Sequence, residues 1–168
     1  MFELKRLSKE GVPAAIQKAE RYRLLNQPWA AESICLDVLE ADAGNQQALV
    51  ILLLALTDQF RDGLADGVAR ARAVLPQLTD EYRRTYYSGI ICERQAMAQL
   101  ARGLPGSGFA AHDWLREAMG WYERAEAIRP AGNEEALLRW NTCARVLTRG
   151  REHLVPREAE RYEPSFGE

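Results

Sequence analysis

The sequence predicts an all-α fold of about seven helices, and three observations predict it. Strand signals are missing: there is no sustained apolar/polar alternation and no Asn-Gly or Asp-Gly hairpin turn between β-branched runs. Alanine, leucine, arginine, glutamate and glutamine dominate, and these are strong helix formers. Proline and glycine breaks recur at regular intervals and cut the chain into helical segments.

The first helix is expected from about Val12 to Leu25, with Pro13 in the first turn, where no N–H donor is needed. It stops before Asn26-Gln27-Pro28, because the residue before a proline disfavours the α region. The second runs from about Pro28 to Ala41, with Ala31, Ile34, Val38 and Leu39 as its apolar stripe. Asn45 follows Gly44 and can cap the third helix, about Gln46 to Phe60. That helix holds the apolar run Ala48 to Leu56, nine residues long, and is expected to be buried over most of its circumference. The fourth, about Asp62 to Leu75, is weakened by Gly63 and Gly67 and stops at Pro76.

The fifth helix is expected to open at Thr79 as N-cap, with Asp80 and Glu81 complementing the helix dipole, and to run to about Arg102. Gly103 to Gly108 reads as a loop. The sixth helix is placed at about Phe109 to Ile128, before Pro130, and the seventh at about Asn133 to Arg149, before Gly150. The domain organisation predicted is a single domain over residues 1–150 and a charged C-terminal tail over residues 151–168.

Composition narrows the function classes. The chain has 168 residues, 47% hydrophobic and 27% charged, as an ordinary globular chain does. Its 22 basic and 24 acidic residues leave a net charge of −2, so no global basic field draws it to nucleic acid or to an anionic membrane. Cys35, Cys92 and Cys143 lie more than fifty residues apart and the only histidines are His112 and His153. Neither metal-ligand spacing nor a disulfide framework follows, and the cysteines read as reduced core thiols. No apolar h-region opens the chain and the longest apolar run falls short of the roughly twenty residues of a membrane span. The expectation is a cytoplasmic protein without cofactor or metal, with no nucleic-acid or membrane partner.

The sequence also repeats itself. Ala43-Gly44-Asn45-Gln46-Gln47-Ala48-Leu49 returns as Ala131-Gly132-Asn133-Glu134-Glu135-Ala136-Leu137. Upstream, Ala31, Cys35, Val38 and Ala43 have the same spacing as Ala118, Tyr122, Ala125 and Pro130. With Ala19 and Tyr22 on the first helix, these positions resemble the tetratricopeptide repeat (TPR) family, a helix–turn–helix unit of about 34 residues. Cys35 and Val38 stand where that family has an aromatic and a small residue, and the middle unit retains only Leu56, Ala65, Ala69 and Pro76. The resemblance covers roughly residues 12 to 149. It implies a right-handed α-α superhelix of three TPR-like helical hairpins with a capping seventh helix. Pro76 to Pro130 spans 54 residues against 33 from Ala43 to Pro76, so the third hairpin is expected to be elongated.

The resemblance also implies a function, a small adaptor that binds a peptide or helix of a partner protein in a concave groove lined by the first helices. Carried over by position, the groove takes Ile16, Glu20 and Arg23, then Val50, Leu54 and Asp58, then Arg83 and Tyr87, and finally Leu137, Asn141 and Arg145. Arg139 and Trp140 stand beside these on the seventh helix, and arginine and tryptophan often carry binding energy. The plain alternative for Ile16, Val50 and Leu54 is core packing. Ile16 and Glu20 occupy the positions where some family members hold a chaperone carboxylate with lysine and asparagine, which argues against that activity.

Two further patterns point elsewhere. Tyr82, Tyr86 and Tyr87 with Arg83, Arg84 and Arg94 could stack bases and bind phosphate, although an i, i+4 tyrosine pair is better read as core. His112-Asp113 invites a catalytic reading, but neighbours on a helix point about 100° apart and no nucleophile lies one turn from His112, so the chain is not expected to be an enzyme. The alternative function is a self-associating structural protein, a homodimer formed through the elongated hairpin; a helical small-ligand binder ranks below it.

Overall fold

The computed structural model describes residues 2–157 and is all-helical, with seven α-helices and no strand among the described residues. The helices are α1 (Val12–Leu24), α2 (Pro28–Ala41), α3 (Gln46–Asp58), α4 (Leu64–Val74), α5 (Glu81–Arg102), α6 (Ser107–Ala127) and α7 (Glu135–Arg149). Short 3₁₀ turns at Lys9–Gly11 and Leu75–Gln77 were not foreseen. The chain divides into two compact units between Arg84 and Thr85, within α5.

In the first unit α1 packs on α2, α2 on α3, α3 on α4, and α1 also touches α3. α1 ends in a Schellman motif. Gln27 N–H donates to Tyr22 O and Asn26 N–H to Arg23 O, with Asn26 itself left-handed at φ 58°. Pro28 then opens α2 as the sequence requires. Asn45 caps α3, its Oδ1 accepting Ala48 N–H at 2.9 Å while its Nδ2 donates to Asp42. α3 buries Ala48, Leu49, Ile51, Leu52, Leu53, Ala55, Leu56 and Thr57. Each of its fully buried leucines contributes roughly 1.5–3 kcal/mol of apolar transfer energy. Ala19, Ala31 and Ala55 are wholly buried at helix contacts, where the absence of a larger side chain lets backbones approach. Only Gly67 lies inside α4; Gly63 precedes it as N-cap.

The start of α5 corrects the predicted cap. Asp80, not Thr79, caps the helix, its Oδ1 accepting Arg83 N–H at 2.8 Å. Thr79 instead donates its N–H and hydroxyl to Gln46 Oε1. Because Gln46 Nε2 also donates to Gln77 O, one side chain at the start of α3 fixes the whole turn that leads into α5.

In the second unit α5, α6 and α7 share a core of Ile91, Ala111, Leu115, Ala118, Tyr122, Ala125 and Cys143. α5 and α6 have 22 and 21 residues against 13 or 14 in α1 to α3, so the third pair of helices is elongated as expected. The intervening loop is shorter than predicted, because α6 already begins at Ser107, with Gly106 as a left-handed N-cap at φ 81°. The two A-G-N copies fold differently. α3 starts directly after Asn45, whereas α7 starts two residues after Asn133, whose Oδ1 accepts Glu135 N–H at 3.0 Å, and the second copy needs Gly132 at φ 80°. Beyond α7, Leu154 is buried and packs back toward Gly150, so the predicted tail begins as packed chain. Residues 158–168 of that tail lie outside the described residues.

Candidate functional site

The predicted groove residues fall on surfaces of different kinds. In the first unit Ile16 is core. Val50 and Leu54 are not: they are half-buried, and with Gln47 and Asp58 they form the one stripe of α3, at spacings of three and four, that reaches solvent. Arg23 of α1 meets Asp58 of α3 in an ion pair at 2.7 Å, with both side chains about one-fifth exposed. Glu20 is exposed one turn before Arg23. The fold thus gathers Glu20, Arg23, Val50, Leu54 and Asp58 along adjoining faces of α1 and α3. A second polar cluster, not anticipated, joins α2 to α4: Arg70 pairs with Glu32, which also accepts a bond from Gln59 Nε2 at 2.7 Å. Burial, reinforced by the Glu32 charge, pushes the Cys35 thiol up to about 12.

Arg83 is exposed. Tyr87 is half-buried and meets Tyr86 edge-on, ring centroids 5.1 Å apart. Tyr82 and Tyr86 are buried, and Arg84 donates to Leu78 O and Thr79 O, so α5 presents no stacking platform built on those two rings.

In the second unit α7 separates its candidates. Residues two apart on a helix point about 200° apart, and Arg139 and Asn141 face opposite ways. Asn141 and Arg145 line a shallow surface depression with Ala144, Thr148 and Arg149. Leu137 is half-buried. Arg139 turns inward to Glu93 of α5, its Nη2 donating at 2.6 Å and its Nε at 3.1 Å. It is engaged in an ion pair within the fold, with its side chain still about one-third exposed. Trp140 donates its indole N–H to Glu123 at 2.9 Å.

Glu93 is the residue sequence reasoning missed. It is 5% exposed, and its Oε2 also accepts the Tyr122 hydroxyl at 2.7 Å. The available signal was a carboxylate ending the apolar run Ile90-Ile91-Cys92 inside a helix, where an acid must find a partner. Burial and the Glu93 charge push the Tyr122 phenol far up. Burial by itself lowers Arg139, and the Glu93 carboxylate together with Tyr122 and Tyr86 outweighs it, so the guanidinium is held more firmly charged. Burial, with Glu93 next, pushes the Cys143 thiol up to about 12. All three cysteines are buried and unbridged.

His112 corrects another expectation. Its Nδ1 lies 3.3 Å from Asp113 Oδ1, so the neighbouring side chains do bend together, although Asp113 is more than half exposed. Asp113 stands in the second turn of α6, which begins at Ser107. Among the described residues no group of three or more His, Cys, Asp and Glu converges as a metal site, and no helix is long and apolar enough to cross a membrane. No protein-family model, curated protein or solved structure compared with the chain matches it.

Proposed function

We propose that the chain is a protein–protein interaction module, a TPR-like adaptor that binds a peptide or helix of a partner on its first-helix faces. The observation that carries this reading is the half-exposed pair Val50 and Leu54 on a helix otherwise buried on every apolar position, set beside the Arg23–Asp58 ion pair. An apolar strip rimmed by fixed charges is the usual anatomy of a recognition surface. The packing order supports the repeat reading. In the first unit α1, α2 and α3 touch one another pairwise, with an acid–base pair between the first and third helices. In the second unit Glu93 of α5, Tyr122 of α6 and Arg139 of α7 meet in the same triangular order. On α7 the polar anchors of the proposal are Asn141 and Arg145.

The test is affinity capture from the native lysate with the wild-type chain, Leu54→Asp, and the Asn141→Ala/Arg145→Ala pair, followed by mass spectrometry. A partner held by wild type and lost from Leu54→Asp, with circular dichroism unchanged, supports the first-unit face. Loss from the α7 pair assigns a binding face to the second unit as well. Identical capture by all three chains sinks the assignment.

A further inference from the structure

Six of the ten large apolar side chains that stand exposed among the described residues fall within the first 36 positions: Phe2, Leu4, Leu24, Leu25, Trp29 and Leu36. Single exposed apolar residues are ordinary, but a concentration of them marks a surface that is covered in use. Four of these six, Phe2, Leu4, Trp29 and Leu36, fall into two complementary sets.

The first set lies on the irregular segment before α1. Phe2 is 100% exposed and Leu4 88%, and they are followed at once by Lys5 and Arg6. The second lies on the outer face of α2. Trp29, Ser33, Leu36 and Glu40 follow one another at spacings of four, three and four, all exposed, with Asp37 beside them. One surface is therefore apolar and net basic, with Glu3 its single acid, and the other is apolar and acidic. They already border a common groove of about 420 Å³, lined by Leu4 to Leu7 on one side and by Leu36, Asp37 and Glu40 on the other. Among the described residues none of Lys5, Arg6, Asp37 and Glu40 takes part in an ion pair. Within one copy the groove brings the charges near one another without pairing them, and Phe2, Leu4 and Trp29 stay in water.

We propose that the chain self-associates by exchanging this segment: Phe2 to Arg6 of one copy lie on the outer face of α2 of a second copy, and the reverse. Phe2 and Leu4 then cover Trp29 and Leu36, while Lys5 and Arg6 meet Asp37 and Glu40. Because donor segment and acceptor face are both on every copy, the contact is self-complementary and closes as a two-fold dimer. Charge pairing at its rim fixes register, and the apolar pairs supply affinity. The occupant is a second copy because the acceptor's own chemistry, acid plus apolar, is complemented by Phe2, Leu4, Lys5 and Arg6 of the segment this chain carries, whose single acid, Glu3, is outnumbered by its two bases. The surface is separate from the α1/α3 face of the proposed adaptor site, so the inference stands or falls independently of that site.

The experiment is light scattering coupled to size-exclusion chromatography over a range of micromolar loadings. Wild type is expected at twice the monomer mass at high loading. The Phe2→Ser/Leu4→Ser pair and the Trp29→Ser/Leu36→Ser pair change exposed positions, and each should run as a monomer with an unchanged helical spectrum. A charge test excludes non-specific stickiness. Lys5→Glu/Arg6→Glu and Asp37→Lys/Glu40→Lys should each raise the dissociation constant at least about tenfold, and carrying all four changes on one chain should restore the dimer. A wild-type chain that remains a concentration-independent monomer overturns the proposal, and that result covers a segment closing on its own α2. A dimer indifferent to the charge changes overturns it equally.

Discussion

Arg139 closes on Glu93 through two bonds, at 2.6 and 3.1 Å, while the fully buried Tyr122 donates to the same carboxylate at 2.7 Å. Three helices of the second unit meet at one buried negative charge. α7 buries only Ala136 and Cys143 fully, so this polar junction carries an unusual share of its attachment.

Removing Arg139 leaves a carboxylate buried without its counter-charge. Arg139→Met is therefore expected to destabilise the chain by about 2–4 kcal/mol, the lower end reflecting the partial exposure of the arginine. Glu93→Gln/Arg139→Met together should cost clearly less than the sum of the two single changes. A double-mutant cycle by urea denaturation measures the coupling. Additive losses would mean the two side chains do not act as a pair.

Gly89 stands against the Tyr122 ring, where a Cβ would come within 2.5–3.0 Å of three ring carbons. Gly89→Ala should destabilise by about 1–3 kcal/mol through overpacking. Gly120, inside α6 with nothing near its would-be Cβ and without a positive φ, gives the opposite sign. Gly120→Ala should stabilise by about 0.5–1 kcal/mol, since alanine loses less backbone freedom. Thermal denaturation of the two variants side by side tests the contrast.

At the start of α5, Asp80→Ala should cost about 1 kcal/mol, because the first turn loses the acceptor for Arg83 N–H. Thr79→Ala removes only an exposed hydroxyl bond to Gln46 and should stay within about 0.5 kcal/mol. Equal losses at the two positions would return the cap to Thr79.

Alkaline stability follows from the thiols. Cys35 and Cys143 are raised from 9.0 to about 12 in the fold. A group whose folded pKa is raised favours its protonated form, so its stabilising contribution is complete below pH 9 and is lost as pH climbs through about 12. Tyr122 shifts in the same direction and steepens the loss further up. Denaturation midpoints should fall over that window, and fall less in the Cys35→Ala/Cys143→Ala chain. Parallel pH profiles for the two chains would refute a thiol contribution.

The sequence by itself determined the helices and most of their limits. α2 begins at Pro28 because proline needs no donor there, and α3 begins after Asn45 because that side chain supplies the missing acceptor. These are local effects, settled within one turn, and local effects are legible in order along the chain. It also placed Ala31 and Val38 on the apolar stripe of α2 and read Cys35 as a core thiol, and all three are buried, whereas Ile34 and Leu39 of that stripe are half-buried.

The tertiary structure decided what each polar residue does. Arg139 and Asn141 are equally good binding candidates as letters, and only the packing of α7 turns one toward Glu93 and the other outward. Thr79 and Asp80 are both sound caps, and Gln46, 33 residues earlier, claims the threonine and leaves the aspartate. The two A-G-N copies are the same locally and turn differently, in surroundings the repeat does not share. Glu93 was hidden for the same reason. A buried charge is tolerable only with its partners in place, and those partners, Tyr122 and Arg139, are 29 and 46 residues away. Side chains that answer to distant partners are fixed by the fold, because the energies that orient them do not exist until the helices meet.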